Sequence, residues 1–167
     1  GGTHAPRLSH WCTACVPGTF TGQGQRAWPV EGAGNYVVMG GEFPYVNGTL
    51  QQGLVRFARP SVAPDQNAPR LSGTRWVPTA VSLASGKARV SIGGNWDRDD
   101  RDLTYEFARF GTTGPVYSTT VAAPFWDLEP VTFNDTGLTP GKAYTYQVTA
   151  ADAAGNRSKS NTVTVTI

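Results

Sequence analysis

The chain has 167 residues, of which 20 are glycine, 12 are proline and only 16% are charged, with a formal net charge of +2. Its basic residues are scattered rather than clustered, which excludes a nucleic-acid footprint. No apolar run is long enough to cross a bilayer, and no stretch of about ten residues keeps a three-to-four-residue apolar period, so an all-β chain with little or no helix is expected.

The chain opens with Gly1-Gly2-Thr3 rather than a basic segment followed by an apolar one. An export signal, if the protein is secreted, is therefore expected upstream. Both histidines, His4 and His10, fall in the first ten residues and read as a frayed terminus. Cys12 and Cys15, the two cysteines, are spaced as C-x2-C. A redox motif of this spacing opens a helix, and Pro17-Gly18 follows too closely for one to begin. Zinc would need two further ligands, with His4 and His10 nearby. A local Cys12–Cys15 disulfide is the leading expectation, with separate thiols and a metal site as the alternatives.

Next comes Gly34-Asn35-Tyr36-Val37-Val38-Met39-Gly40-Gly41-Glu42-Phe43-Pro44-Tyr45-Val46-Asn47-Gly48, then Gln51-Gln52-Gly53-Leu54-Val55-Arg56-Phe57. This segment resembles one unit of the β-propeller repeats that run VGGxF, VNG and GLARF. The resemblance implies that residues 1–58 are a β-rich segment corresponding to a last propeller blade, a piece that cannot bury its own faces alone. A small independent β domain is the alternative. Residues 59–76 contain Pro60, Pro64 and Pro69 among small polar residues and read as a linker. The charge balance changes across it: five basic and three acidic residues lie in 1–70, and nine of each in 71–167.

From residue 77 onward apolar residues alternate. Ala88, Val90, Ile92, Gly94 and Trp96 fall on one face of a strand, as do Tyr105 and Phe107, and then Tyr144, Tyr146, Val148 and Ala150. The last run alternates Thr162, Thr164 and Thr166 with Val163, Val165 and Ile167, giving one wet and one dry face. The run Leu138-Thr139-Pro140-Gly141-Lys142-Ala143-Tyr144-Thr145-Tyr146-Gln147-Val148-Thr149-Ala150 resembles the fibronectin type III signature around strands E and F. The segment Ala151–Ser158 resembles the F–G loop of bacterial secreted members. The resemblance implies that 77–167 is a fibronectin type III, immunoglobulin-like β-sandwich. It further implies a structural core containing Trp96, Leu138, Tyr144 and Tyr146, with Trp96 as the core tryptophan of strand B. Tyr144 is then the tyrosine corner, its hydroxyl bonded to backbone upstream.

Asp97-Arg98-Asp99-Asp100-Arg101-Asp102 carries four carboxylates in six residues. Interleaved arginines and the lack of a glycine or closing glutamate argue against a calcium loop, so a solvated turn with internal ion pairs and no metal is expected. Phe125 and Trp126 stand between the expected strands D and E, and with Asn156 they form a candidate interaction surface, since an exposed tryptophan beside acidic and amide groups stacks on sugars or partners. The sequons at Asn47, Asn134 and Asn156 matter only in a glycosylating host. No nucleophile–base set, phosphate loop or carboxylate pair of catalytic spacing emerges, and no cofactor is implied.

These readings converge on a non-catalytic spacer or interaction module of a secreted or cell-surface multidomain protein. The rivals are a carbohydrate-binding module or accessory region of a carbohydrate-active enzyme, and a subunit of an extracellular filament. The expected partners are adjacent domains, another copy of the chain, or polysaccharide.

Overall fold

The alternation of branched and aromatic residues with threonines builds strands throughout, and the computed structural model, which describes residues 10–167, contains twelve strands and no helix among them. Among the described residues no helix is long and apolar enough to cross a membrane. The chain divides into two compact units: Cys12–Asp65, and Gln66–Ile167 together with His10 and Trp11. The part of the expected blade before His10 lies outside the described residues, as does His4.

In Cys12–Asp65, β1 (Ala27–Ala33), β2 (Tyr36–Gly41) and β5 (Leu54–Ala58) form an antiparallel sheet in the order β1-β2-β5. Between β2 and β5, β3 (Tyr45–Val46) and β4 (Thr49–Leu50) pair as a hairpin. Asn47 and Gly48 close it with φ values of 53° and 83°, the left-handed pair that matches hairpin twist. At Gly41 a Cβ would stand 2.1 Å from the carbonyl oxygen of Arg26, so only glycine lets the backbone of β1 come in this close. Phe43, Val46 and Val55 form a small buried core, while Trp28, Val30, Tyr36, Tyr45 and Leu54 stay exposed.

The expected disulfide is not formed here: Cys12 and Cys15 are separate, half-buried thiols. Cys15 bridges Val46, Val16 N–H donates to Tyr45 O at 3.0 Å, and Asn47 N–H donates to Ala14 O at 2.9 Å. This pairing extends the chain at residues 14–16, on the approach to Cys15. Three residues of extended chain span about 10 Å, beyond the roughly 7 Å that a disulfide can bridge.

The other unit packs two sheets face to face. One is β10 (Val131–Thr136), β7 (Lys87–Ile92) and β6 (Thr79–Ala84), in that order. The other is β12 (Arg157–Thr166), β11 (Ala143–Ala151), β8 (Asp102–Arg109) and β9 (Tyr117–Ala122). All pairs are antiparallel. Inward-facing Val90 and Ile92 of β7, Leu103, Tyr105 and Phe107 of β8, and Tyr146, Val148 and Ala150 of β11 interdigitate as the core. Each of the larger rings removed from water contributes about 2–3 kcal/mol. The outer faces carry hydroxyl pairs such as Thr104–Thr120 and Thr145–Thr164, both at 2.8 Å.

Two expectations change. The core tryptophan is Trp76, not Trp96: Trp76 is buried against the core, and its indole N–H donates to Gly93 O at 2.8 Å. Strand β7 stops at Ile92, so Trp96 lies beyond the alternation, half-buried in the following loop. Residues 66–76 are not a free linker. Gly73 pairs in parallel with Ser160, Gly73 N–H donates to Lys159 O, and Asn161 N–H donates to both Gly73 O and Trp76 O. Strand β9, the fourth of the sandwich, pairs with β8 rather than β10, so Phe125 and Trp126, which stand between the fourth and fifth strands, lie on a connection that crosses between the two sheets.

Leu138 and Tyr146 are buried, and the Tyr146 hydroxyl donates to Asp135 Oδ2 at 2.8 Å. Tyr144 is half-buried, and its hydroxyl accepts the backbone N–H of Thr139, five residues upstream, at 2.8 Å.

Candidate functional site

Strand registers gather three loops at one end of the sandwich. Ile92, closing β7, faces Val131, which opens β10. Asp102, opening β8, faces Ala122, which closes β9. Thr104 of β8 faces Ala151, which closes β11. The loops 93–101, 123–130 and 152–156 must therefore crowd together. At Gly94 a Cβ would lie 2.8 Å from Glu129 O, so the first two are in direct backbone contact.

The first loop is held from below by Asn95, which is fully buried and bonded through both ends of its side-chain amide. Its Oδ1 accepts the N–H groups of Leu71 and Trp96, and its Nδ2 donates to Leu71 O. Its backbone N–H donates to the Tyr105 hydroxyl at 2.7 Å. That hydroxyl is buried, and burial pushes its pKa up. The core ring of β8 thus fixes the height of the loop, and residues 66–71 clamp its outer side.

Four rings meet on this platform. Phe125 and Trp126 pack edge to face with centroids 4.7 Å apart. His10 lies 5.5 Å from Phe125 and 5.8 Å from Trp126, and Trp96 lies 6.2 Å from Phe125. His10 also bonds through Nε2 to the carbonyl oxygen of Asp97 at 3.0 Å. Trp126 remains 50% exposed and Phe125 37%, so one face of the cluster is open to solvent. Such a surface stacks on flat apolar faces, including the C–H faces of sugar rings. His10, expected to fray, is instead a member of the cluster. Nothing in its position along the chain signals this, since its partners lie about ninety to more than a hundred residues away.

Asn156, expected on the interaction surface, closes its own loop. Its N–H donates to Asp152 Oδ1 and its Nδ2 to Asp152 Oδ2, both at 2.8 Å. The structure does not place it in the ring cluster. The expected solvated turn at 97–102 also differs: Asp97 is completely buried, and its Oδ1 accepts the N–H groups of Arg98 and Asp99.

No protein-family model matches the chain. An amylopullulanase from Thermoanaerobacterium saccharolyticum is 26% identical over 136 residues, covering 81% of this chain and 10% of that protein. The chain thus spans about a tenth of the length of the relative it matches, and what it is similar to is a small region of a much larger protein.

Proposed function

We propose that this chain is a non-catalytic accessory region of a larger, exported protein that acts on polysaccharide, and that its sandwich is a fibronectin type III module spacing neighbouring domains. The observation that carries this reading is the proportion of the match: most of this chain aligns with a tenth of an enzyme whose name states that it acts on pullulan. The strand order supports it, since three strands (β6, β7, β10) facing four (β9, β8, β11, β12) is the arrangement a fibronectin type III sandwich uses. The segment 12–65 fits the same reading as a blade-like piece belonging with further domains. The experiment is an assay of the purified chain for release of reducing ends from pullulan and amylopectin. No release is expected, and turnover by this chain alone would overturn the proposal.

The exposed Phe125–Trp126 pair favours a second reading, in which the loop end holds the polysaccharide itself. Electrophoresis through gels containing pullulan should then retard the chain, and Trp126→Ala should abolish the retardation without changing the unfolding midpoint. Equal mobility with and without polysaccharide would remove this second reading and leave the spacer role.

A further inference from the structure

We propose that the sandwich carries a calcium site at its loop end, built from Asp97, Asp99, Asp100 and Asp152. This inference is independent of the proposed function. Two loops supply the ligands. Carboxylate oxygens of Asp97 and Asp99 lie within 4.8 Å of each other, as do those of Asp100 and Asp152. Residues 99 and 100 are adjacent in the chain, so the two pairs adjoin along it, and the second ties the 93–101 loop to the 152–156 loop.

Clustered carboxylates alone would describe a solvated turn. Asp97 makes the difference. It is 0% exposed, its Oδ1 is occupied by two backbone N–H groups, and its Oδ2 is buried with no hydrogen-bond partner among the described residues. A buried carboxylate oxygen left unsatisfied is costly, and folded proteins resolve the cost by pairing it with a cation or a metal ion. Asp152, also buried, is presented by the two bonds it accepts from Asn156, which fix its carboxylate at the mouth of its loop. Its loop is therefore shaped before any ion arrives.

The chemistry of the donors selects the ion. All four are hard carboxylate oxygens on irregular loops, which suits calcium, with its variable geometry and high coordination number. Magnesium demands a stricter octahedron and zinc prefers nitrogen and sulfur. Arg98 and Arg101 interleave with the acids and lower the local negative potential, so affinity is moderate rather than tight.

The test is calorimetric titration of calcium chloride into the full chain, previously stripped with a chelator. One saturating site with a Kd on the order of 10⁻⁴ M is expected, with an unfolding midpoint that rises with calcium concentration. Asp97→Asn and Asp152→Asn should each weaken binding at least about tenfold. Asp99 is exposed, so Asp99→Asn keeps the fold and should weaken binding comparably, which preserves the test if Asp97→Asn does not fold. No saturable binding up to about 10 mM calcium, or an affinity unchanged in both Asp99→Asn and Asp152→Asn, would overturn the proposal.

Discussion

The Tyr146 hydroxyl and the Arg109 guanidinium converge on one oxygen, Oδ2 of Asp135, each at 2.8 Å, linking the facing sheets through a single buried acceptor. Removing the acceptor strands both donors, whereas removing the hydroxyl leaves the ion pair. Asp135→Ala should therefore destabilise the sandwich by about 3 kcal/mol, and Tyr146→Phe by about 1 kcal/mol. Chemical denaturation with matched slopes checks the ratio, and equal costs would contradict the shared-acceptor geometry.

Alkali should act through the buried tyrosines. Burial, reinforced by the hydrogen bond and charge of Asp135, pushes the Tyr146 hydroxyl well above its ordinary pKa, and burial raises Tyr105 as well. A folded pKa above the unfolded value of about 10 means that their contribution is complete below pH 10 and lost as pH rises through the folded values. Stability should thus fall in strong alkali, and less steeply in Tyr146→Phe.

Tyr144 should behave in the opposite way. Hydrogen bonding from Thr139 lowers its pKa, with the charges of Lys142 and Arg109 adding to the effect. In a titration of tyrosinate absorbance on the folded protein, Tyr144→Phe should delete an early-rising component. Tyr146→Phe should delete only signal that appears with alkaline unfolding. Tyr144→Phe should also lower the thermal midpoint, because the Thr139 N–H loses its acceptor.

The two candidate core tryptophans separate cleanly. Trp76→Ala should cost about 3–5 kcal/mol, the range for emptying a buried ring site. Trp96→Ala should cost much less, since its ring is half-exposed beyond the end of β7. Equilibrium unfolding of both variants measures the difference.

The two cysteines should each react. Alkylation of the denatured chain without reductant should add two carbamidomethyl groups, one at Cys12 and one at Cys15, because neither sulfur is held in a disulfide. A mass unchanged by the reagent would mean that the sulfurs are oxidised.

What could be read from the chain beforehand follows a physical divide. Period-two alternation is local, so the strands carrying Val90, Tyr105, Tyr146 and Val163 were legible, and with them the sandwich. Trp96 continued the alternation of Ala88, Val90 and Ile92 by chance, because nothing in the side-chain pattern marks where hydrogen bonding ends. Trp76 was hidden by its proline-rich surroundings, which look like a linker until Lys159 and Asn161 are seen to bond to that stretch. The site suffered most. Asp97 is buried only because Asn95, Tyr105 and residues 69–71 close around its loop, and such burial is a property of distant partners. His10 failed for the same reason, since its bond to Asp97 spans 87 residues.

The strap formed by Gly73 to Trp76 has a consequence for how this unit can travel between proteins. It occupies the outer edge of β12 around Ser160, where backbone groups would otherwise stand open to another chain, and it delivers the largest ring of the core from outside the seven strands. A gene fusion beginning at Val77 would carry every strand of the sandwich, yet arrive with a hollow centre and a sticky border. The unit of inheritance is therefore longer than the unit of pattern, and recombination that respects only the strands would yield a product prone to pairing with its own copies.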